Sequence, residues 1–109
     1  MDELTLRQVC NVVNVSRRAV QGYEKAGLVS ATGKNERGYL LYDDYARERI
    51  RMIKLFQDMG FTVREIKEII DGPDEKLKAA LERRLKNLQS KLKHTNDMIN
   101  TVQDMIDKL

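Results

Sequence analysis

The stretch Asn14–Val29, NVSRRAVQGYEKAGLV, decides how the rest of this chain is read. Ser16 is a good helix N-cap, because its hydroxyl accepts from a free backbone N–H of the first turn. Gly27 suits the position just past a helix end, where a positive φ is needed. A helix of about ten residues fits between them. Helical spacing puts Arg17, Arg18, Gln21 and Lys25 on one side and Val20 and Tyr23, followed by Leu28, on the other. The first side suits phosphates and base edges. The second suits a core.

Upstream, Leu6, Val9, Cys10 and Val13 recur at helical spacing, and Thr5 with Gln8 has the spacing of a capping box. This predicts a second short helix, with a tight turn at Asn14 between the two. Two such helices, the later one basic on its outer side, form a helix-turn-helix whose second helix enters the major groove of DNA. Downstream, ATGKNERG (Ala31–Gly38) is rich in turn formers and lies between LVS (Leu28–Ser30) and YLLY (Tyr39–Tyr42), runs that suit two small strands. The pattern predicts a β-hairpin wing, with Lys34, Arg37 and Tyr39 as candidates for contact with phosphate or the minor groove.

Asp43 or Asp44 caps the next predicted helix, in which Ala46, Ile50, Ile53, Phe56 and Met59 keep a helical repeat up to Gly60. Arg47, Arg49, Arg51 and Lys54 fill much of its remaining surface and read as a solvated face without base contacts. Thr62 and Glu65 form another capping box, opening a helix with Val63, Ile66 and Ile70 inward. The start of that helix, with Arg64 beside it, offers free N–H groups to a phosphate. Gly72 and Pro73 then end the globular part.

From Asp74 the repeat changes. Leu81, Leu85, Leu88, Leu92, Thr95, Ile99, Val102, Ile106 and Leu109 alternate in steps of four and three, as the a and d positions of heptads do. A stripe that narrow needs a partner helix. Residues 74–93 carry a net charge of +4 and residues 94–109 a net charge of −2, so an antiparallel homodimer sets opposite charges side by side.

Taken in order, VSRRAVQGYEKAGLV, RGYLLY (Arg37–Tyr42) and DMGFTVREIKEII (Asp58–Ile70) resemble the mercury-resistance-regulator (MerR) family of bacterial transcription regulators. The resemblance covers roughly residues 5–71, and the tail from 74 suits that family's dimerisation helix. The chain departs from the family pattern in having Gln21, Gly22, Tyr23 and Glu24 where an RYYE run is usual, and Leu40 where an arginine is usual. The resemblance implies a mainly α fold: a winged helix-turn-helix DNA-binding domain over 1–72, and a coiled-coil dimerisation helix over 74–109. It also implies a homodimer on a promoter palindrome that distorts the DNA and so acts on RNA polymerase indirectly. The candidate DNA contacts are Ser16, Arg17, Arg18, Gln21, Gly22, Tyr23 and Lys25 on the recognition helix, Lys34, Arg37 and Tyr39 in the wing, and Thr62 and Arg64.

Composition fits this reading. The chain of 109 residues is enough for one small domain and a long helix. Its net charge of +3 permits a nucleic-acid partner without demanding one, so clustering matters more than the sum. Cys10 is the only cysteine and reads as a small buried residue; His94, the only histidine, reads as a solvated surface residue. No metal site or cofactor is expected, and nothing resembles the paired groups of an enzyme active site. The absence of a long apolar run or a signal-peptide pattern points to a cytoplasmic protein without membrane contact. The heptads still run at Leu109, so either a sensor region is absent or the sequence is a piece of a longer protein. An alternative reading, a coiled-coil protein-interaction module without DNA-binding activity, differs in its response to salt: DNA binding weakens steeply as salt rises.

Overall fold

The computed structural model describes residues 3–109; Met1 and Asp2, at the start of the expected first domain, lie outside the described residues. The chain divides into two units, one ending at Asp71 and the other running from Gly72 to Leu109.

In the first unit, strand β1 (Leu4–Thr5) leads into helix α1 (Leu6–Val13). The Thr5–Gln8 capping box forms in full: Gln8 N–H donates to Thr5 Oγ1, and Thr5 N–H donates to Gln8 Oε1 at 2.9 Å. Asn14, in the left-handed region at φ 60°, turns the chain towards helix α2 (Arg17–Lys25). A short polar side chain tolerates that conformation better than most. Ser16 caps α2 by accepting from Ala19 N–H at 3.0 Å. Gly27, at φ 79°, ends it, and Leu28 N–H returns to the Tyr23 carbonyl.

The wing differs in detail from its sequence pattern. LVS is not a strand. The first strand of the hairpin, β2, is Gly33–Lys34, inside the expected turn, and it pairs antiparallel with β3 (Leu40–Tyr42). Asn35 explains the shift. Its side-chain oxygen accepts from the N–H groups of Arg37 and Tyr39, closing a turn over residues that look like open loop. β1 pairs with the other edge of β3, Thr5 opposite Leu41, giving the sheet order β1-β3-β2.

Helix α3 (Asp44–Met59) is capped by Asp43, which accepts from Ala46 N–H at 2.9 Å. Gly60, at φ 107°, turns the chain so that Phe61 packs back on Phe56, edge to face with ring centroids 6.0 Å apart. Helix α4 (Val63–Ile69) begins with the Thr62–Glu65 capping box. Ile69, rather than the expected Ile70, joins Ile66 in the core, because the short helix presents positions three apart to α3. The core gathers Val9, Val20, Tyr23, Leu28, Tyr42, Ile50, Ile53, Phe56 and Ile66, each at most 4% exposed. Burying a large apolar side chain contributes about 1.5–3 kcal/mol, so this cluster holds the helices in place. Cys10 is only half-buried, since α1 buries Val9 alone completely.

The second unit is helix α5 (Asp74–Asp107), preceded by Pro73. The expected a and d residues, Leu81 to Ile106, are all exposed, as is Leu109 beyond the helix. Large side chains stand well clear of cover, with Leu85 54%, Leu92 62% and Ile99 59% exposed. His94 is exposed on the same helix.

Candidate nucleic-acid interface

The geometry of α2 follows from what its inner side is tied to. Val20 is fully buried, and Tyr23 is 2% exposed. The Tyr23 hydroxyl donates to Gln57 Oε1 on α3 at 2.5 Å, and the Tyr42 hydroxyl of β3 donates to the Glu24 carboxylate. Burial pushes both phenols up from their ordinary pKa, helped by nearby Asp58 at Tyr23 and by the Glu24 hydrogen bond at Tyr42, so both remain protonated donors. These ties fix the rotation of the helix about its axis.

Arg17, Arg18, Gln21, Gly22 and Lys25 are all exposed as a result. Tyr23 is not among them, and its place in the contact set is corrected: it is a core residue, as its spacing from Val20 requires. Ser16 is exposed, but its oxygen is committed to the helix cap.

On the wing, Lys34, Arg37 and Tyr39 are exposed around the Asn35 turn, where Gly38 takes φ 80°. The structure brings part of this set together. An open groove of about 610 Å³ is lined by Arg17 and Gln21 of α2, Gly38, Tyr39 and Leu40 of the wing, and Thr5, Leu6 and Arg7 at the start of α1. The sequence reading does not single out Arg7. Its place in the groove depends on β1, whose pairing with β3 sets the start of α1 beside the wing.

At the start of α4, Thr62 and Arg64 are exposed. The Thr62 N–H and hydroxyl both donate to Glu65 Oε1, each at 3.0 Å, so the cap residue's own donors are used within the chain.

The cations divide into two classes. Those of α3 are paired: Arg47 with Asp44, Arg51 with Glu48, Lys54 with Asp58 at 3.1 Å, and Arg49 with both oxygens of Asp71 at 2.6 and 2.5 Å. Arg49 also donates its Nε–H to the Leu28 carbonyl at 2.9 Å, tying the exit of α2 to α3. Among the described residues, Arg7, Arg17, Arg18, Lys25, Lys34 and Arg37 have no ion pair. The helix-turn-helix and wing thus present free positive charge, while the long helix behind them neutralises its own. Also among the described residues, no cluster of His, Cys, Asp and Glu is suited to a metal ion, and no helix is long and apolar enough to cross a membrane.

Comparison with known proteins agrees with this geometry. The family description "MerR HTH family regulatory protein" matches residues 4–72, and "MerR, DNA binding" matches residues 47–109. The chain belongs to the MerR family. It is 34% identical over 97 residues to the HTH-type transcriptional activator mta of Bacillus subtilis, covering 89% of this chain and 38% of that protein. The chain therefore spans well under half the length of that relative. The crystal structure of MtaN, the N-terminus of the Bacillus subtilis multidrug transporter activator, superposes with a TM-score of 0.73 at 32% identity, covering 94% of this chain and 97% of that one. HiNmlR, a MerR family regulator lacking the sensor domain and bound to promoter DNA in its crystal structure, shares the fold, with a TM-score of 0.70 at 19% identity over 96% of this chain and 88% of that one. Gln21 of α2 and Leu40 of the wing share the groove with Arg7.

Proposed function

We propose that this MerR-family chain is a sequence-specific DNA-binding transcription regulator, acting as a homodimer on a promoter palindrome. The observation that carries the reading is the set of cations on α2 and the wing that have no ion pair among the described residues, set against the internally paired cations of α3. Free surface cations displace counterions from DNA and gain affinity by doing so; cations already held by carboxylates gain little.

In this reading α2 lies in the major groove. Arg18 and Gln21 meet base edges, where an arginine pairs with guanine and a glutamine with adenine through two hydrogen bonds. Arg17 and Lys25 neutralise phosphates, with Ser16 beside them at the helix start. Gly22, lacking a side chain, lets the helix come close to the DNA. Lys34, Arg37 and Tyr39 grip the adjacent backbone from the wing, and Arg64, on a turn capped by Thr62, holds a further phosphate.

Pairing through α5 supports the palindrome. The seam from Leu81 to Leu109 is open to solvent in the single chain, and covering it antiparallel sets the +4 half of one helix along the −2 half of the other. A two-fold dimer presents two copies of α2 to two half-sites. Distortion of the intervening promoter DNA is the means by which such a dimer acts on RNA polymerase without touching it; the bending energy is offset by the added contacts. The name of the Bacillus subtilis relative, a transcriptional activator, is consistent with this. The reading involves no catalysis and no cofactor, and it places the protein with the DNA in the cytoplasm.

Selection of bound duplexes from a random DNA pool tests it. Enrichment of an inverted repeat is the expected result. A pool that remains random after repeated rounds would contradict sequence-specific binding.

A further inference from the structure

The groove between α1, α2 and the wing contains a cation whose role the proposed contact set leaves open. Arg7 is the second residue of α1 and is exposed, and it lines the groove together with Arg17, Gln21 and Tyr39. No carboxylate is among the lining residues, and among the described residues neither Arg7 nor Arg17 has an ion pair. Arg7 comes from the first helix, which in the helix-turn-helix supports the recognition helix. Its presence at the interface follows from two backbone facts. The Thr5–Gln8 box fixes where α1 starts, and the antiparallel pairing of Thr5 with Leu41 holds that start against the strand that continues the wing.

We propose that Arg7 binds a phosphate of the DNA backbone, acting with Arg17 as a two-arginine clamp at the groove. The proposal rests on the DNA-binding reading and extends it to a residue on α1. An arginine suits the task because its planar guanidinium meets two phosphate oxygens at once. A groove of about 610 Å³, lined by Arg7, Arg17 and Tyr39 together with the apolar Leu6 and Leu40, has room for a phosphate with the sugar on either side. Reading one phosphate from two helices fixes the roll of the domain on the duplex. Arg7 thereby positions α2 without reading sequence itself.

The test uses the full chain and the duplex that the wild-type protein selects from a random pool. Affinity is measured by fluorescence anisotropy across a series of KCl concentrations for wild type, Arg7→Ala and Arg7→Lys, with circular dichroism confirming that each variant is folded. One lost phosphate contact reduces the slope of log affinity against log salt by about 0.9 in each bound half-site. Over a fourfold rise in salt, wild type then loses about three- to fourfold more affinity per half-site than Arg7→Ala does. Arg7→Lys keeps the slope, because the charge remains, but binds more weakly than wild type, because the two-point contact is lost. Both duplexes with the selected sequence and duplexes with a scrambled one weaken by the same factor in Arg7→Ala. An unchanged slope in Arg7→Ala overturns the proposal, and so does a loss confined to the selected sequence, which would make Arg7 a base reader. A wild-type protein that binds no duplex is a different result. It would end the DNA-binding reading itself.

Discussion

Gly22→Ala separates what the fold needs at the recognition helix from what a partner needs. Gly22 lies in the middle of α2 in helical conformation, and a Cβ built on it meets nothing within 4 Å. The protein's own packing therefore gives no reason for glycine there. Alanine in place of an exposed helical glycine stabilises by about 1 kcal/mol, through the lower entropy of the unfolded chain and better helix propensity. For a unit of this size that is a rise of about 4–8 °C in Tm. Close approach of DNA at residue 22 predicts the opposite effect on binding. A methyl group forced into a tight contact costs about 1–3 kcal/mol, which is at least a fivefold weaker Kd, and Gly22→Tyr costs more. Thermal melting by circular dichroism and titration of the selected duplex by anisotropy, on the same preparations, read both effects. A variant that melts higher and binds as well as wild type would refute the close approach. A variant that melts lower would refute the claim that the space beside Gly22 is open.

Three further outcomes follow from other parts of the structure. Arg18→Ala should lose about 1–3 kcal/mol of affinity for the selected duplex and tolerate changes at one base pair of each half-site, measured by competition with point-mutated duplexes; a uniform loss across sequences would make Arg18 a phosphate contact. Leu88→Asp with Leu92→Asp should give monomers in sedimentation equilibrium, since two charges per helix would enter the seam; retention of the dimer would place the interface elsewhere. Asp71→Asn should lower Tm near neutral pH, by an amount that shrinks in acid. The two hydrogen bonds from Arg49 hold the Asp71 carboxyl below its ordinary pKa, so its stabilisation is present above the usual carboxylate range and is lost as pH falls through the lowered value. Because the Asp71 side chain is 69% exposed, the effect is about 1 kcal/mol or less, and a difference in Tm that persists unchanged at low pH would show that the ion pair is not its source.

The local devices of this fold were readable because each depends on residues three or four apart. Ser16 before Arg17, Gly27 after Lys25, and the paired Thr5–Gln8 and Thr62–Glu65 boxes all satisfy helix ends with their own neighbours, so a short window of sequence contains the whole interaction. Strand β1 did not announce itself, since it is two residues long and its partner Leu41 lies far along the chain. Arg7 was hidden for the same reason: only the β1–β3 pairing brings it to the wing. The sequence pattern puts the first hairpin strand too early, at Leu28–Ser30, because it does not show that Asn35 closes the turn with its side chain, which brings the paired strand in to Gly33 and Lys34. At Tyr23, helical spacing and family resemblance pointed in different directions. The burial of Val20 beside it, and the hydroxyl bonded to Gln57, follow the spacing.

The most direct measurement is the salt dependence of binding by the full chain to the duplex it selects. Counting Arg7, Arg17, Lys25, Lys34, Arg37 and Arg64 in each of two half-sites gives at most about twelve phosphate contacts, and hence a slope of log affinity against log salt between about −5 and −11 when half or more of them form. A straight line within that range, together with preference for an inverted repeat over a single half-site, is what a dimer reading DNA through α2 and the wing produces. Affinity that does not change with salt, or a slope near −1, would contradict it.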